Sequence, residues 1–187
     1  MPRLFIAIDL PEQVKINLST LCQGANSVHW VARQNLHLTL LFLGEVMMEQ
    51  YHQLVNGLKE VPFYPFELRL ADLGYFGKEK SPRVLWAGLD APPELNELER
   101  RITQKVEEMR LPLDEKKFKA HITLGRLSHN GPKHSYQDVG IHHFLQQNLY
   151  LNHQTFEVTG FQLFSSKLTP RGAIYTIEQF FPGEIVL

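Results

Sequence analysis

An α+β fold of two similarly ordered lobes is predicted by three observations. Strand-like and helix-like segments alternate along the chain. The order strand, helix, strand, helix, strand runs twice, with corresponding strands about 80 residues apart, well beyond the roughly 20–50-residue unit of a solenoid. The second strand of each run carries the same four-residue pattern. Together these features fit one domain over residues 1–187 made of two pseudo-symmetric lobes, one motif in 1–75 and the other in 83–187.

The elements follow in order. Arg3 to Ile8 is a short apolar strand, and Asp9 with Pro11 supplies a cap and a helix start. Val14, Leu18, Leu21, Cys22 and Ala25 then recur on one helical stripe. Leu36 to Leu43 is a strand ended by Gly44, Met47 to Lys59 a helix with a weaker stripe, and Phe66 to Leu73 a strand. The second run opens with a strand over Arg83 to Leu89. Asp90 and the pair Pro92-Pro93 start a helix with Leu95, Leu98, Ile102, Val106 and Met109 on one face. His121 to Arg126 is a short strand, and Asp138 is placed to cap a short helix through Ile141, Phe144 and Leu145. Thr155 to Phe164 and Ala173 to Phe181 are the last strands, joined by a turn at Pro170-Arg171-Gly172.

Composition narrows the function classes. The 187 residues are 43% hydrophobic and 21% charged, which is ordinary globular usage. Nineteen basic residues against 20 acidic ones leave no global basic field of the kind that marks a duplex DNA binder. The single cysteine, Cys22, excludes a disulfide framework and a zinc site built on several thiolates. No leader peptide pattern and no apolar run of about 18 residues occurs, so a cytoplasmic chain with no membrane span is expected.

The chemistry sits on the repeated strand. Leu36-His37-Leu38-Thr39-Leu40 matches Ala120-His121-Ile122-Thr123-Leu124 in its His-aliphatic-Thr-Leu pattern. On a strand of period two, His and Thr share one face and the aliphatic residues the other. Each strand thus offers an imidazole and a hydroxyl to a common surface. Imidazole gives or takes a proton near neutral pH, and a hydroxyl donates to a phosphate oxygen. Substitution at phosphorus wants attacking and leaving oxygens in line, with a base on one side and an acid on the other. Two such strands across a cleft supply both. The spacing argument pairs the histidines without saying which is acid and which base.

With these residues the sequence resembles the two-histidine (2H) phosphoesterase superfamily, and within it the bacterial RNA 2′,3′-cyclic phosphodiesterases, also called 2′-5′ RNA ligases. The supporting blocks run over nearly the whole chain. They are Arg3-Leu4-Phe5-Ile6-Ala7-Ile8-Asp9-Leu10-Pro11, Asn35 to Glu45, Pro82 to Gly88, His121 to Arg126, Leu163 to Leu168 and Gly172-Ala173-Ile174-Tyr175. The resemblance implies a bilobal α+β fold, each lobe an antiparallel sheet with helices on its outer face, and an active-site cleft between the sheets. It implies hydrolysis of RNA 2′,3′-cyclic phosphodiester ends to 2′-phosphomonoesters without a metal or cofactor, and 2′-5′ ligation as the reverse reaction. His37 takes the role of proton donor to the leaving 3′ oxygen, His121 that of proton acceptor from water, and Thr39 and Thr123 bind phosphate oxygens. RNA ends or nucleoside 2′,3′-cyclic phosphates are the partners, and the chain is expected to be a monomer.

Other positions are open at this stage. Arg126 suits a phosphate, but strict alternation sets it opposite His121 and Thr123 unless Gly125 marks a bulge. Trp30, Phe42, Tyr75, Phe76 and Tyr175 are candidates to stack on bases. Phe42 and Trp86, inside apolar strands, are expected mainly in the core. The histidines at 129, 134, 142, 143 and 153 are expected to be solvent-facing or structural; adjacent His142 and His143 are poorly spaced as helix metal ligands. The absence of a Gly-x-x-x-x-Gly-Lys loop and of His-Glu-x-x-His excludes a P-loop enzyme and the common zinc protease pattern. Three alternatives stand beside the RNA reading: a metal-dependent phosphoesterase with His37 and His121 as ligands, a binding module for a nucleotide or RNA end, and a cyclic phosphodiesterase acting on a small nucleotide.

Overall fold

The computed structural model describes residues 3–23, 28–78, 81–114, 116–127, 139–147, 151, 154–170 and 172–184. The elements run β1 (Arg3–Asp9), α1 (Glu12–Thr20), β2 (Val28–Trp30), a 3₁₀ turn (Arg33–Asn35), β3 (His37–Glu45), α2 (Met48–Lys59) and β4 (Phe66–Lys78). They continue with β5 (Ser81–Asp90), α3 (Pro93–Glu108), β6 (His121–Leu127), α4 (Val139–Gln146), β7 (Thr155–Val158), β8 (Gly160–Thr169) and β9 (Gly172–Pro182). The order read from the sequence holds, with β2 added and the strand expected over Thr155 to Phe164 divided at Thr159 into β7 and β8.

The strands lie in the order β7-β4-β5-β6-β3-β1-β8-β9, all neighbours antiparallel, with β2 also against β6. The central strands β3 and β6 meet at the pair Leu38–Ile122. The flanking strands correspond: β6 to β3, β5 to β1, and β4 to β8. The halves of the sheet are not the halves of the chain. β4 follows β3 in sequence but pairs with β5, and β8 returns to pair with β1. Each lobe therefore holds a strand from the other half, which ties the two together.

The strand faces divide the labour. In β1, Leu4, Ile6 and Ile8 join the main core, while Phe5 and Ala7 form a small second cluster with Phe164 on the opposite face. The helices pack on the core face: Leu18 of α1, Leu54 and Leu58 of α2, and Leu95, Leu98, Ile102 and Val106 of α3 are all essentially inaccessible. Full burial of each such side chain contributes about 1.5–3 kcal/mol. The expected aspartate caps are not used. The residue before α1 is Pro11 and that before α3 is Pro92, neither with a side-chain cap. Asp9 instead holds Lys15 Nζ at 2.6 Å, and Asp90 pairs with Arg69 across the β4–β5 ladder. Asp138 lies outside the described residues, although the helix expected after it is present as α4.

Candidate active site

β3 and β6 share one burial rhythm. In each, His and Thr are half-buried and the residue between them is buried. Two buried residues then follow in succession, Leu40-Leu41 and Leu124-Gly125, before an exposed Phe42 or Arg126. Strict alternation breaks there because each strand carries an extra residue. Ile6 and Ala7 of β1 sit opposite Leu41 and Thr39, and Leu85 and Trp86 of β5 opposite Gly125 and Thr123. Leu40 and Leu124 are thus bulged out of the ladder. Beyond the bulge the parity flips, so Arg126 joins His121 and Thr123, as it would if Gly125 marked a bulge. The same flip brings Phe42 out of the core and onto the cleft side, 48% exposed, which corrects the core placement expected for it. Trp86 is half-buried.

Strand pairing brings the two motifs side by side on one face of a single sheet, and not opposite each other across a cleft as the sequence suggested. Leu38 is opposite Ile122 on antiparallel strands, so the register carried one residue further sets His37 across from Thr123 and Thr39 across from His121. A cleft of about 970 Å³ opens here, lined by Thr39, Phe42, Phe76, His121, Thr123 and Arg126, and on its far side by the segment after α3 with Lys116, Lys117 and Lys119. His37 lies just behind Thr39, its Nε2 3.0 Å from Thr39 Oγ1.

Both imidazoles are oriented by the same device. His37 Nδ1 lies 2.7 Å from the Asn35 carbonyl, and His121 Nδ1 2.7 Å from the Lys119 carbonyl. A carbonyl only accepts, so each Nδ1 carries the hydrogen and Nε2 is the ring atom available for proton transfer, in His37 one that also meets the Thr39 hydroxyl. Asn35 is itself fixed to the last strand, its side-chain Nδ2 donating to the Ala173 carbonyl at 2.9 Å. Neither Asn35 nor Lys119 was singled out in the sequence, because a backbone carbonyl leaves no residue-type signal.

The surroundings of the two rings differ. His37 is walled by Phe5, Tyr175 and Phe164, with ring centroids 5.0, 5.3 and 6.0 Å away. His121 meets the edge of Phe76 at 4.7 Å, and Trp86 in turn braces Phe76 at 5.4 Å. Burial pushes both imidazoles below their ordinary pKa, opposed in each by the carbonyl bond at Nδ1. Asp9 favours the charged form of His37, while Lys15 and Arg126 oppose it. The charges acting on His121 are the cations Arg126 and Lys119, and both favour its neutral form.

Of the stacking candidates, Phe42, Phe76 and Tyr175 line the cleft system. Trp30 packs on Phe144 of α4 at 5.7 Å, and Tyr75 packs against the main core. His142 and His143 are exposed on α4, while the histidines at 129, 134 and 153 lie outside the described residues. Among the described residues no three His, Cys, Asp or Glu side chains are grouped to hold a metal ion. No helix among them is long and apolar enough to cross a membrane. Cys22 is half-buried, with its thiol pushed up to about 12 by burial, which disfavours the thiolate that a nucleophile needs.

The duplicated His-Thr strands have a direct counterpart in known proteins. The family model described as LigT like phosphoesterase matches twice, over residues 8–86 and 89–175, one match for each motif. This chain belongs to the LigT-like phosphoesterases. A relative from Archaeoglobus fulgidus, named RNA 2′,3′-cyclic phosphodiesterase, is 34% identical over 92% of this chain and 96% of its own length. One of the same name from Thermotoga maritima is 32% identical over 94% of this chain and 92% of its own. A crystal structure from Thermus thermophilus aligns over 98% of this LigT-like chain and all of that one, with TM-score 0.76 and 33% identity. E. coli LigT complexed with 3′-AMP aligns over 98% and 99% of the two chains, with TM-score 0.77 and 27% identity. These likenesses confirm the bilobal α+β fold and phosphoesterase class expected from the sequence.

Proposed function

We propose that this LigT-like phosphoesterase hydrolyses 2′,3′-cyclic phosphodiester ends of RNA to 2′-phosphomonoesters, with His37 as proton donor and His121 as proton acceptor. The observation that carries it is the pairing of β3 with β6, which sets two carbonyl-oriented imidazoles beside one cleft, His121 lining it with Thr39 and Thr123 and His37 in contact with Thr39. In this reading Thr39 and Thr123 donate to the non-bridging phosphate oxygens and Arg126 balances phosphate charge, which its influence on both histidines supports. In the reaction His121 Nε2 takes a proton from water as its oxygen bonds to phosphorus. The P–O3′ bond breaks, and His37 Nε2–H delivers a proton to O3′. The two rings exchange protonation states and are reset by solvent. One difference in charge supports this direction: Asp9, the one carboxylate acting on either ring, favours charged His37 against Lys15 and Arg126, whereas only cations act on His121. The relatives' names and the 3′-AMP bound to E. coli LigT support a nucleotide end in the cleft. A single chain in the cytoplasm, with 2′-5′ ligation as the reverse reaction, completes this reading.

The test is ³¹P NMR of nucleoside 2′,3′-cyclic phosphates and of an RNA oligonucleotide with that end, in the presence of a strong chelator. Accumulation of the 2′-phosphomonoester is expected. A 3′-phosphomonoester would reverse which oxygen leaves, and no product from either substrate would leave a binding module as the better account. Turnover that stopped with the chelator and returned with added metal would instead support a metal-dependent phosphoesterase.

A further inference from the structure

The two-histidine reaction leaves unused the sequence blocks at the chain's two ends, and the fold brings them together. Arg3 of β1 pairs with Ser166 of β8, and Ser166 pairs with Tyr175 of β9. With strands about 4.8 Å apart, the three side chains form one row across some 10 Å of sheet. Period two puts this row on the face of Phe5 and Phe164, whose rings flank His37. The row lies in a second cavity of about 540 Å³, which adjoins the larger cleft and shares Phe42 and Arg126 with it.

We infer that Arg3, Ser166 and Tyr175 form a second phosphate-binding position, which takes an internucleotide phosphate of the RNA strand leading to the cyclic end. The inference rests on the cyclic phosphodiesterase reading above. A guanidinium and two hydroxyls are a donor set suited to a phosphodiester. Arg126 adds a second cation, and the one carboxylate among the described lining residues, Asp114, is held by Lys116 Nζ at 2.7 Å. Direction follows from chemistry. If His37 protonates O3′, the terminal ribose sits on the His37 side, and the strand leaves over Phe5 and Phe164 toward Arg3. Arg3 is four residues along β1 from Ala7, the partner of Thr39, or about 13 Å by strand rise, which the arginine arm shortens. The opposite lobe lacks this feature. Phe5 faces Phe42 as Val84 faces Arg126, so the counterpart of Arg3 is Pro82, which has no donor.

The test compares an RNA trinucleotide ending in a 2′,3′-cyclic phosphate with a nucleoside 2′,3′-cyclic phosphate. Wild-type protein should prefer the trinucleotide in kcat/KM, and Arg3→Gln should lower that preference about tenfold, the scale of one charge-assisted hydrogen bond. Tyr175→Phe, which keeps the ring beside His37, should lower it less. The slope of log kcat/KM against log salt for the trinucleotide should become shallower by about 0.7 in Arg3→Gln. A trinucleotide with uncharged methylphosphonate linkages should show no Arg3 effect, and inorganic phosphate should compete with the trinucleotide in wild type more strongly than in Arg3→Gln. An equal preference in wild type and Arg3→Gln overturns the inference. So does a preference that is lost in Lys117→Gln and kept in Arg3→Gln, which would run the strand over the other lobe. Calorimetric binding of the trinucleotide and nucleoside 2′-phosphates gives the same ratio without turnover. Absence of hydrolysis thus counts against the proposed activity alone, and the binding ratio decides the second site.

Discussion

At the scale of single residues, proton transfer makes the sharpest demand. Each Nε2 is the one ring atom left for chemistry once its Nδ1–H is bound to a carbonyl. His37→Ala and His121→Ala should each lower kcat by ~10²–10⁴, with little further loss in the double variant because the two act as a unit. Retention of more than about a tenth of the wild-type rate would remove that histidine from proton transfer. A substrate with bridging sulfur at the 3′ position releases a thiolate that needs no proton, so it should rescue His37→Ala and not His121→Ala. The reverse pattern would exchange the roles. Thr39→Val and Thr123→Val keep the shape and remove one hydrogen bond to a charged oxygen, about 1.5–3 kcal/mol. Each should slow turnover less than loss of a histidine, and unchanged kinetics in both would mean that phosphate sits elsewhere. The histidines and threonines were legible in the sequence because period two is enough to place them on one face. Arg126 and Phe42 were not placed by that rule, since one extra residue after each Thr reverses every later side chain.

At the scale of elements, the bulge in β6 is the feature that aims Arg126. Its second residue, Gly125, is opposite Leu85 on one side and Trp30 on the other. A Cβ there would collide with Val28 Cγ1 and the six-membered ring of Trp30. Gly125→Ala should therefore push β2 from β6, costing about 1–3 kcal/mol of stability by overpacking. Because Arg126 is the next residue, kcat/KM should fall with it. A urea midpoint and a kcat/KM both equal to wild type would show that β2 yields freely and that the bulge is not held by this contact. β2 itself is three residues long, too short to announce itself by alternation. The division of one apolar run into β7 and β8 was equally hidden. Residues on either side of Thr159 read alike in sequence, and only pairing tells that Phe66 takes Val158 while Pro182 takes Gly160. The helices were easier, because Leu95, Leu98, Ile102 and Val106 declare a buried stripe without reference to any partner.

At the scale of the whole molecule, two lobes that exchange β4 and β8 hold two half-buried imidazoles around the proposed anion site, and this couples folding, pH and ligand. Burial is the largest influence on both rings and lowers both pKa values. In the unfolded chain they titrate near 6.5, so between that value and the lower folded values the unfolded state binds more protons. The contribution of these rings is therefore fully present above about pH 6.5 and is lost as pH falls toward the folded values. An anion between the rings acts the other way, since it favours both charged forms and raises both pKa values. Anion binding then takes up protons and must tighten as pH falls through this window. Sulfate is a suitable probe, because it keeps its charge throughout. Its rise in Tm should be larger at pH 5.5 than at pH 7.5. In the double variant His37→Ala, His121→Ala the pH-dependent part should vanish, leaving the general stabilisation that sulfate gives any folded chain. An equal sulfate effect at both pH values in the wild-type protein would mean that the imidazoles do not face the bound anion. The acid–base assignment, which needs them on either side of one phosphorus, would fall with it.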